Sequence, residues 1–193
     1  GPRIRLDAEQ IRDNTLFTSG LINFEMGGRG TMPYQPPNIW EPVGFTGSNT
    51  RVYQQSKGDS LYRRSLYVFL KRTAPAPFMS NFDAPNRETP CTRRERSNTP
   101  LQALTLLNDP VYVEAARAFA KRILDETSGQ DVFHRVQHAF RLGLVREPDS
   151  QEVAMLANLY ESRRKALSQE SEFHAAWAIA TVIMNLDEFI SKE

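Results

Sequence analysis

The chain has 193 residues, 40% of them hydrophobic and 24% charged, and its formal net charge is +1. A chain of this length can bury a substantial core, as one domain or slightly more. The balanced charge argues against nucleic acid as a partner, although local basic clusters can still contact phosphate or sulfate. The single cysteine excludes an internal disulfide and any C-x-x-C or C-x-x-C-H motif within these residues.

The two ends of the chain carry information about its context. It begins GPRIRLDAEQ, without an initiator methionine, so we expect a fragment of a longer protein, and Gly1 and Pro2 are either native or a cleavage scar. The longest apolar run near the C-terminus, AAWAIATVIMNL, has about a dozen residues, whereas a bilayer-spanning helix needs roughly 20. We therefore expect a core helix there and no membrane span.

A capped helix is the first predicted element. Asp7 followed by Gln10 forms a capping-box pattern, and Gly20 supplies a stop signal. The positions predicted to share one face of this helix are Ala8, Ile11, Thr15 and Leu16.

A long loop is predicted next, because residues 27–59 are rich in Gly, Pro, Asn, Ser and Gln and show no sustained hydrophobic period. Loops of this length are usually functional or held in place by partners. Within it, PYQPPNIWEPVGF carries Tyr34 and Trp40 on a proline-stiffened stretch. Such rings can stack on a sugar or fill a partner's pocket, which makes both residues candidate ligand-binding positions, but Trp40 can equally pin the loop to the helical body.

The segment LYRRSLYVFLKRT, residues 61–73, has apolar residues on both faces and is predicted to be a short helix or a strand that ends at APAPF. A helix is then predicted to start at Thr99, with Pro100 at its first position and Gln102 completing a capping box. Leu101, Leu104 and Leu107 follow this start. Asp109-Pro110 is a second such signal, with an N-cap residue followed by proline at the first helical position.

Three further amphipathic helices are predicted at residues 131–144, 150–167 and 172–190. The expected fold is therefore mainly α, with a C-terminal bundle of about five helices preceded by one helix and a long Pro/Gly-rich loop. We expect a first region at residues 1–98, containing that helix, the loop and an arginine-rich motif, and the bundle at residues 99–193.

The arginine-rich motif, FDAPNRETPCTRRERSNTP at residues 82–100, supports two interpretations. Acids beside guanidinium groups can bind and process an anionic sugar, since arginine offers a bidentate fork to carboxylate or sulfate. The same side chains can instead form an ion-pair network that satisfies loop backbone before the helix at Thr99, and the near-balanced charge favours this network. The candidate catalytic residues are Asp83, Glu88, Cys91 and Glu95, and the candidate ligand-binding residues are Arg87, Arg93 and Arg94.

Cys91 is the one potential nucleophile of this motif. Neighbouring arginines would lower the pKa of its thiol and favour the reactive thiolate. No histidine lies within forty residues of it in the sequence, however, and a free cysteine is often a small buried side chain. We therefore expect Cys91 to be buried in a turn.

No metal site is predicted. His134 and His138 have the i, i+4 spacing of zinc ligands, but the residues between them lack the glutamate of H-E-x-x-H. The glycine-rich run at residues 27–30 lacks the G-K-[ST] ending of a phosphate loop and is predicted to be a turn.

Several segments in the same order carry a family resemblance: GPRIRLDAEQIRD, PYQPPNIWE, YRRSLYVFLKRT, FDAPNRETPCTRRERSNTPLQALTLLNDP, LVREPDSQEV and NLDEFI. Together they resemble the C-terminal domain of unknown function found in planctomycete and verrucomicrobial cytochrome-c-domain proteins. The resemblance implies a periplasmic or extracellular parent whose haem-binding C-x-x-C-H segment lies upstream, so that this segment holds no cofactor. It also implies that Gly1 and Pro2 are native. Pro90 before Cys91 departs from the pattern.

The leading functional hypothesis is a non-catalytic interaction module that packs on the upstream domains of such a protein and presents the long loop to a partner or glycan. The alternative is part of an enzyme acting on anionic polysaccharide, with Asp83, Glu88 or Glu95 as acid or base and the motif arginines holding the substrate. A third hypothesis is a carbohydrate-binding module that uses Tyr34 and Trp40.

Overall fold

The computed structural model describes residues 3–166 and 171–192, and helices dominate it. The helices are α1 (Ala8–Ser19), α2 (Pro77–Asn81), α3 (Pro100–Asn108), α4 (Pro110–Glu126), α5 (Val132–Leu144), α6 (Ser150–Ala166), α7 (Ser171–Met184) and α8 (Asp187–Ile190). The strands β1 (Ile4–Arg5) and β2 (Ser191–Lys192) pair antiparallel. The mainly α fold is confirmed, and α5 and α6 lie where the sequence predicts them. Leu167, the last residue predicted for α6, lies outside the described residues.

Helix α1 follows its sequence signals closely. The Asp7 N–H donates to Gln10 Oε1 at 3.0 Å, which is one half of the predicted capping box. Gly20 ends the helix with a φ of 79°, in the left-handed region that glycine adopts without steric cost. The predicted inner face is buried at Ala8, Ile11, Thr15 and Leu16.

The main core lies between α4, α5, α6 and α7, and α4 and α7 run through its centre. Its largest fully enclosed side chains include Phe119, Phe140, Ile179 and Ile183. Helices α5 and α7 approach closely at Gly143, where an added Cβ would lie 2.7 Å from Cγ2 of Ile183. The close packing of these helices therefore depends on a glycine at this position.

The last helix differs from the prediction of one continuous element at residues 172–190. Helix α7 ends at Met184, and Leu186 is extended with φ −67° and ψ 142° before α8 starts. The side-chain amide of Asn185 donates to the Thr181 carbonyl at 2.8 Å, so it satisfies a carbonyl that the interrupted helix leaves free. The break turns Phe189 into the main core, where it is fully buried.

A second, smaller core joins the two predicted regions. It combines Ile11 of α1, Phe78 of α2 and Phe82 with Leu106 of α3 and Tyr112 of α4. Helix α2 belongs to this core and was not predicted. The two prolines at its start indicated only the end of the preceding segment, residues 61–73. The second core therefore draws residues from both sides of the predicted boundary at residue 98.

Helix α3 starts at Pro100 as predicted, but its predicted capping box is wrong. The Thr99 side chain makes no capping hydrogen bond. Gln102 is buried instead, where it accepts from Arg5 at 2.8 Å and donates to Ser97 Oγ at 3.2 Å. A buried guanidinium needs acceptors, and Gln102 supplies one of them.

The apolar series of α3 points outward as a consequence. Leu101, Leu104 and Leu107 are 53%, 55% and 47% exposed, whereas Gln102 and Thr105 are buried. Helix α3 thus buries a face rich in polar groups and exposes a row of leucines. We call Leu101, Leu104 and Leu107 the leucine face.

The segment LYRRSLYVFLKRT, residues 61–73, is neither of the predicted alternatives. It contains the end of the 3-10 turn Gly58–Tyr62 and the 3-10 turn Ser65–Tyr67. Arg12 of α1 is fully buried beneath it and donates to the Leu61 carbonyl at 2.7 Å, the Arg63 carbonyl at 2.8 Å and Ser65 Oγ at 3.2 Å. One guanidinium thus satisfies two main-chain carbonyls of this irregular segment.

The long loop is held in the same way. Arg63 is 4% exposed and donates to the carbonyls of Arg29 at 2.6 Å, Glu25 at 3.0 Å and Gly27. Its guanidinium also lies 4.0 Å from the centre of the Tyr67 ring. Residues 27–59 contain the 3-10 turn Glu41–Val43 and the first two residues of the turn Gly58–Tyr62, and otherwise no regular helix or strand, which confirms the predicted loop.

Across the described residues, no helix is both long and apolar enough to cross a membrane.

The buried guanidinium of Arg12 yields a stability prediction. Arg12→Met removes the donors to the Leu61 and Arg63 carbonyls and leaves these buried acceptors unpaired. The free energy of unfolding should fall by about 3–5 kcal/mol. Chemical denaturation followed by circular dichroism measures this change.

Arg163→Met is the matched control, because Arg163 is exposed at the end of α6. It should change the free energy of unfolding by less than about 0.5 kcal/mol. Equal effects of the two substitutions would contradict the role given to Arg12.

Candidate binding site

The arginine-rich motif folds back onto the start of α1. Arg94 makes a bidentate pair with Glu9, with its two nitrogens at 2.6 and 3.1 Å from the two carboxylate oxygens. Asp7 lies 3.5 Å from Arg94 and 3.6 Å from Arg96, and Arg87 reaches Glu9 at 4.0 Å. Burial raises the pKa of Glu9, but the bond from Arg94 and the nearby arginine charges outweigh it and hold that pKa below its usual range.

Asp83 closes the turn that precedes α3. Its carboxylate accepts from an Arg5 nitrogen at 2.6 Å and from the Ser97 N–H and O–H, each at 2.8 Å. Burial raises its pKa, but the bonds from Arg5 and Ser97 outweigh burial, so the pKa of Asp83 lies below its usual value. Asp83 also has a φ of 59°, in the left-handed region. Both carboxylate oxygens are therefore committed to the fold.

Three other charged candidates of the motif make fewer side-chain contacts than Asp83 and Arg94. Glu88, Arg93 and Glu95 are exposed, and their side chains make no ion pair with any residue that the structure describes. Asp83, Cys91, Arg93, Arg94 and Glu95 line one open hollow of about 460 Å³, which Arg87 and Glu88 do not line. The structure thus gathers part of the predicted set, but it uses Asp83 and Arg94 in contacts with the rest of the fold.

The prediction that Cys91 is buried is wrong. Its side chain is exposed, and the thiol donates to the Arg93 carbonyl at 3.3 Å. Ion pairs of Arg94 and Arg96 with α1 hold the residues that follow Cys91, and the sulfur itself stays outside the core.

The two histidines with metal-ligand spacing pair with separate acids. His134 lies 2.7 Å from Asp131, and His138 lies 2.7 Å from Glu126. Among residues 3–166 and 171–192, no group of three or more His, Cys, Asp or Glu side chains could hold a metal ion.

Trp40 does not offer its ring to a ligand face. It is 2% exposed, with Tyr53 edge-on at 4.8 Å and Phe69 at 5.6 Å between ring centres. The Lys71 ammonium lies 4.9 Å from the centre of its ring. The use of Trp40 as an exposed stacking residue is therefore a wrong prediction. Trp40 pins the loop, but to residues 53–71 rather than to the helical body.

Tyr34, the other aromatic candidate of the loop, lies in a groove. The groove has a volume of about 640 Å³ and runs along α4 between the loop and the start of α7. Its lining is mainly apolar, with charged side chains from α4. The residues that form it are Leu21, Tyr34, Pro110, Val113, Glu114, Arg117, Ala118, Lys121 and Phe173.

A carboxylate lies at the inner wall of this groove. Glu114 accepts from the Tyr62 hydroxyl at 2.9 Å through Oε1, while its Oε2 is buried and has no hydrogen-bond partner. Burial, together with the charge of Glu114, raises the pKa values of Tyr34 and Tyr62, so both phenols stay protonated at neutral pH. The wall of the groove therefore combines neutral tyrosine hydroxyls with a carboxylate whose Oε2 is shielded from solvent.

Sequence reasoning found Tyr34 and missed the rest of the groove. Glu114 and Lys121 lie on an amphipathic helix, where charged residues are the normal outer face. Phe173 is one of several apolar residues at the start of α7. The sequence contains no signal that these positions meet Tyr34, because the contact depends on how the loop folds across α4.

Comparison with known proteins bears on the whole chain. A model of the PSD1 family, described as a protein of unknown function (DUF1553), matches residues 1–160. The chain belongs to the PSD1 family. The PSD1 match runs from the first residues into α6, so it includes the arginine-rich motif, the long loop and most of the groove. Neither the curated proteins nor the solved structures gave a match. The PSD1 description names no reaction, so function must be argued from the residues.

Asp83 gives a pH-dependent prediction. Asp83→Asn should lower the free energy of unfolding by about 1–2 kcal/mol near neutral pH, because it weakens the bonds to Arg5 and Ser97 at a partly solvated site. Since the folded pKa lies below the ordinary value of 3.8, the contribution of Asp83 is present above that pH and is lost as the pH falls through the folded pKa. Melting temperatures of wild type and Asp83→Asn should therefore converge as the pH falls below 3.8 and through the folded pKa of Asp83.

Glu88→Gln is the control for Asp83→Asn, since its side chain has no partner among the described residues. It should leave the melting curve unchanged at each pH. An Asp83→Asn protein as stable as wild type at neutral pH would show that the carboxylate is not structural.

The exposure of Cys91 predicts a direct chemical result. The native chain should react with one equivalent of a disulfide reagent such as dithionitrobenzoate without denaturant, because it has one cysteine and that cysteine is exposed. Absorbance of the released thiolate measures the reaction. Labelling that requires denaturant would place the thiol in a buried site.

Proposed function

We propose that this PSD1 chain is a non-catalytic interaction module of a secreted or envelope protein. It packs on other domains of that protein through the leucine face of α3 and contacts a polysaccharide through its loop region. The outward position of Leu101, Leu104 and Leu107 carries this proposal.

The leucine face cannot easily turn into the fold. On the opposite side of α3, Gln102 is held by Arg5 and Ser97. Thr105 Oγ1 accepts from the Asn81 amide at 2.9 Å and donates to the Leu101 carbonyl at 2.8 Å. Turning the leucines inward would break these buried polar contacts, and each lost bond costs on the order of 1 kcal/mol or more.

The position of the leucines suits a protein partner. Residues at i, i+3 and i+6 of a helix lie along one side, so the three side chains form a continuous apolar row. Single exposed leucines are normal on a protein surface, whereas a contiguous apolar patch typically marks an interaction site. Each leucine is already about half buried, so a second domain that covers the row would gain on the order of 1 kcal/mol for each one.

The setting follows from the family resemblance and from composition. A secreted or envelope parent with haem in an upstream domain is consistent with this segment, whose single cysteine cannot form a C-x-x-C-H attachment motif. The net charge of +1 gives no support for nucleic acid as a partner. The partners we propose are therefore the upstream domains and a glycan.

The enzymatic alternative has one observation in its favour. Asp83, Cys91, Arg93 and Glu95 line the same hollow, and three of them make no side-chain ion pair within the described residues. Against it, Asp83 holds Arg5 and Ser97, and no second carboxylate is paired with it. Turnover of a uronate or sulfated polysaccharide by the purified chain, lost in Glu95→Gln, would favour the enzyme over the module.

The leucine face can be tested by side-chain footprinting in the full-length protein. Carbene labelling of Leu101, Leu104 and Leu107 should be at least about threefold lower in the full-length protein than in the 193-residue chain, because docking removes these side chains from solvent. Mass spectrometry of the labelled peptides measures the difference.

Leu66 provides an internal control, since it is 73% exposed on a different element and should label equally in both proteins. Leu104→Glu should restore labelling of Leu101 and Leu107 in the full-length protein and leave the stability of the isolated chain unchanged. Equal labelling of the leucine face in both wild-type proteins would refute the docking proposal.

A further inference from the structure

We propose that the groove beside Tyr34 binds an acidic sugar, a pyranose that carries a carboxylate, within a polysaccharide chain. This inference names the site and ligand class of the polysaccharide contact and rests on that part of the proposed function. The leucine face belongs to a different element and is independent of it.

The walls of the groove suit the apolar face of a sugar ring. Tyr34 and Phe173 are half-buried and contribute ring surface from the loop and from α7. Aromatic side chains supply a large rigid contact area at low entropic cost, and a pyranose presents C–H groups on one face. An open groove of about 640 Å³ has room for an extended ligand of several rings rather than one enclosed small molecule.

The Tyr34 hydroxyl supplies a polar partner for sugar hydroxyls. Tyr34 lines the groove and is half-buried, and burial together with the nearby Glu114 raises the pKa of its phenol, so the hydroxyl stays neutral. A neutral phenol can donate and accept, so a sugar hydroxyl can bond to it. Glu114 accepts from the Tyr62 hydroxyl at 2.9 Å, and its Oε2 is shielded from solvent.

The rim of the groove supplies positive charge. Arg117 and Lys121 are exposed, lie one turn apart on α4, and make no ion pair within the described residues. The Arg117 guanidinium lies 5.9 Å from the ring centre of Phe173 and 5.2 Å from that of Trp177, so the aromatic rings position it. A neutral sugar would leave both charges unused, whereas a carboxylate on the ring would meet them.

The three features together select the ligand class. Apolar walls favour a C–H face, the Tyr34 hydroxyl favours a hydroxyl partner, and Arg117 with Lys121 favour a negative group. A uronic acid residue combines all three on one ring. The open hollow of about 460 Å³ beside Arg93 offers guanidinium groups without aromatic walls, so it matches only the last requirement.

Isothermal titration calorimetry with trigalacturonic acid tests this inference on the 193-residue chain. We expect saturable binding to the wild type and binding at least about tenfold weaker in Tyr34→Ala and in Lys121→Glu. Tyr34→Phe should weaken binding at least about threefold, because it removes the hydroxyl but keeps the ring. Far-UV circular dichroism checks that each variant is folded.

Phe45→Ala and Lys57→Glu are the matched controls. Both residues lie on the same loop as Tyr34. Phe45 is 76% exposed, Lys57 is exposed, and neither lines the groove. Both variants should bind trigalacturonic acid as the wild type does. Cellotriose, which is neutral, and inorganic sulfate should bind at least about tenfold more weakly than trigalacturonic acid.

Absence of binding by the wild type would overturn the inference, as would binding that Tyr34→Ala and Lys121→Glu leave unchanged. If cellotriose bound equally well, the ligand would not need to be acidic, and that part of the inference would be overturned. If sulfate bound equally well, attraction between charges would explain the binding without a sugar. Footprinting of the leucine face separates these failures from failure of the proposed docking, because Tyr34→Ala should leave protection of Leu104 intact.

Discussion

The guanidinium of Arg12 is the contact on which the irregular part of this protein depends. It leaves α1, enters a site without solvent and donates to the carbonyls of Leu61 and Arg63. Burial lowers the pKa of Arg12, and Asp13, the nearest acid to its guanidinium, is 3.9 Å away. The charge is balanced mainly by carbonyl dipoles rather than by a carboxylate. Because Arg12 fixes the backbone at Arg63, it also fixes the guanidinium that holds the carbonyls of residues 25–29.

This chain of contacts connects the fold to the groove. Tyr62 lies between the two residues whose carbonyls Arg12 binds, so its hydroxyl reaches Glu114 only when that backbone is in place. Trp40 fixes the later part of the loop through Tyr53 and Phe69. The helical side of the groove is therefore formed by α4 itself. The loop side, where Tyr34 contributes its ring, forms only when these contacts hold the loop in place.

The helices could be predicted because interactions between residues close in sequence determine them. The site could not, because it depends on contacts between residues far apart in sequence. Capping residues and hydrophobic period act within a few positions, which is why α1, α5 and α6 were found near their true ends. The pair between Arg94 and Glu9 joins residues 85 positions apart, and no local rule reports it. The exposure of Leu104 was hidden for the same reason, since Arg5 and Asn81 decide which face of α3 turns inward. Trp40 was predicted from side-chain type alone, which cannot distinguish a buried ring from a free one.

The arginine contacts have a further consequence for how this sequence can vary. Arg63 binds main-chain oxygens, which every amino acid possesses, so the exposed side chains at positions 25 and 29 are not specified by these bonds. Substitutions at these positions can therefore leave the backbone conformation unchanged. Insertion or deletion of a single residue would move the oxygens out of reach. Members with this architecture should therefore keep loop length and the two arginines more strictly than they keep loop composition.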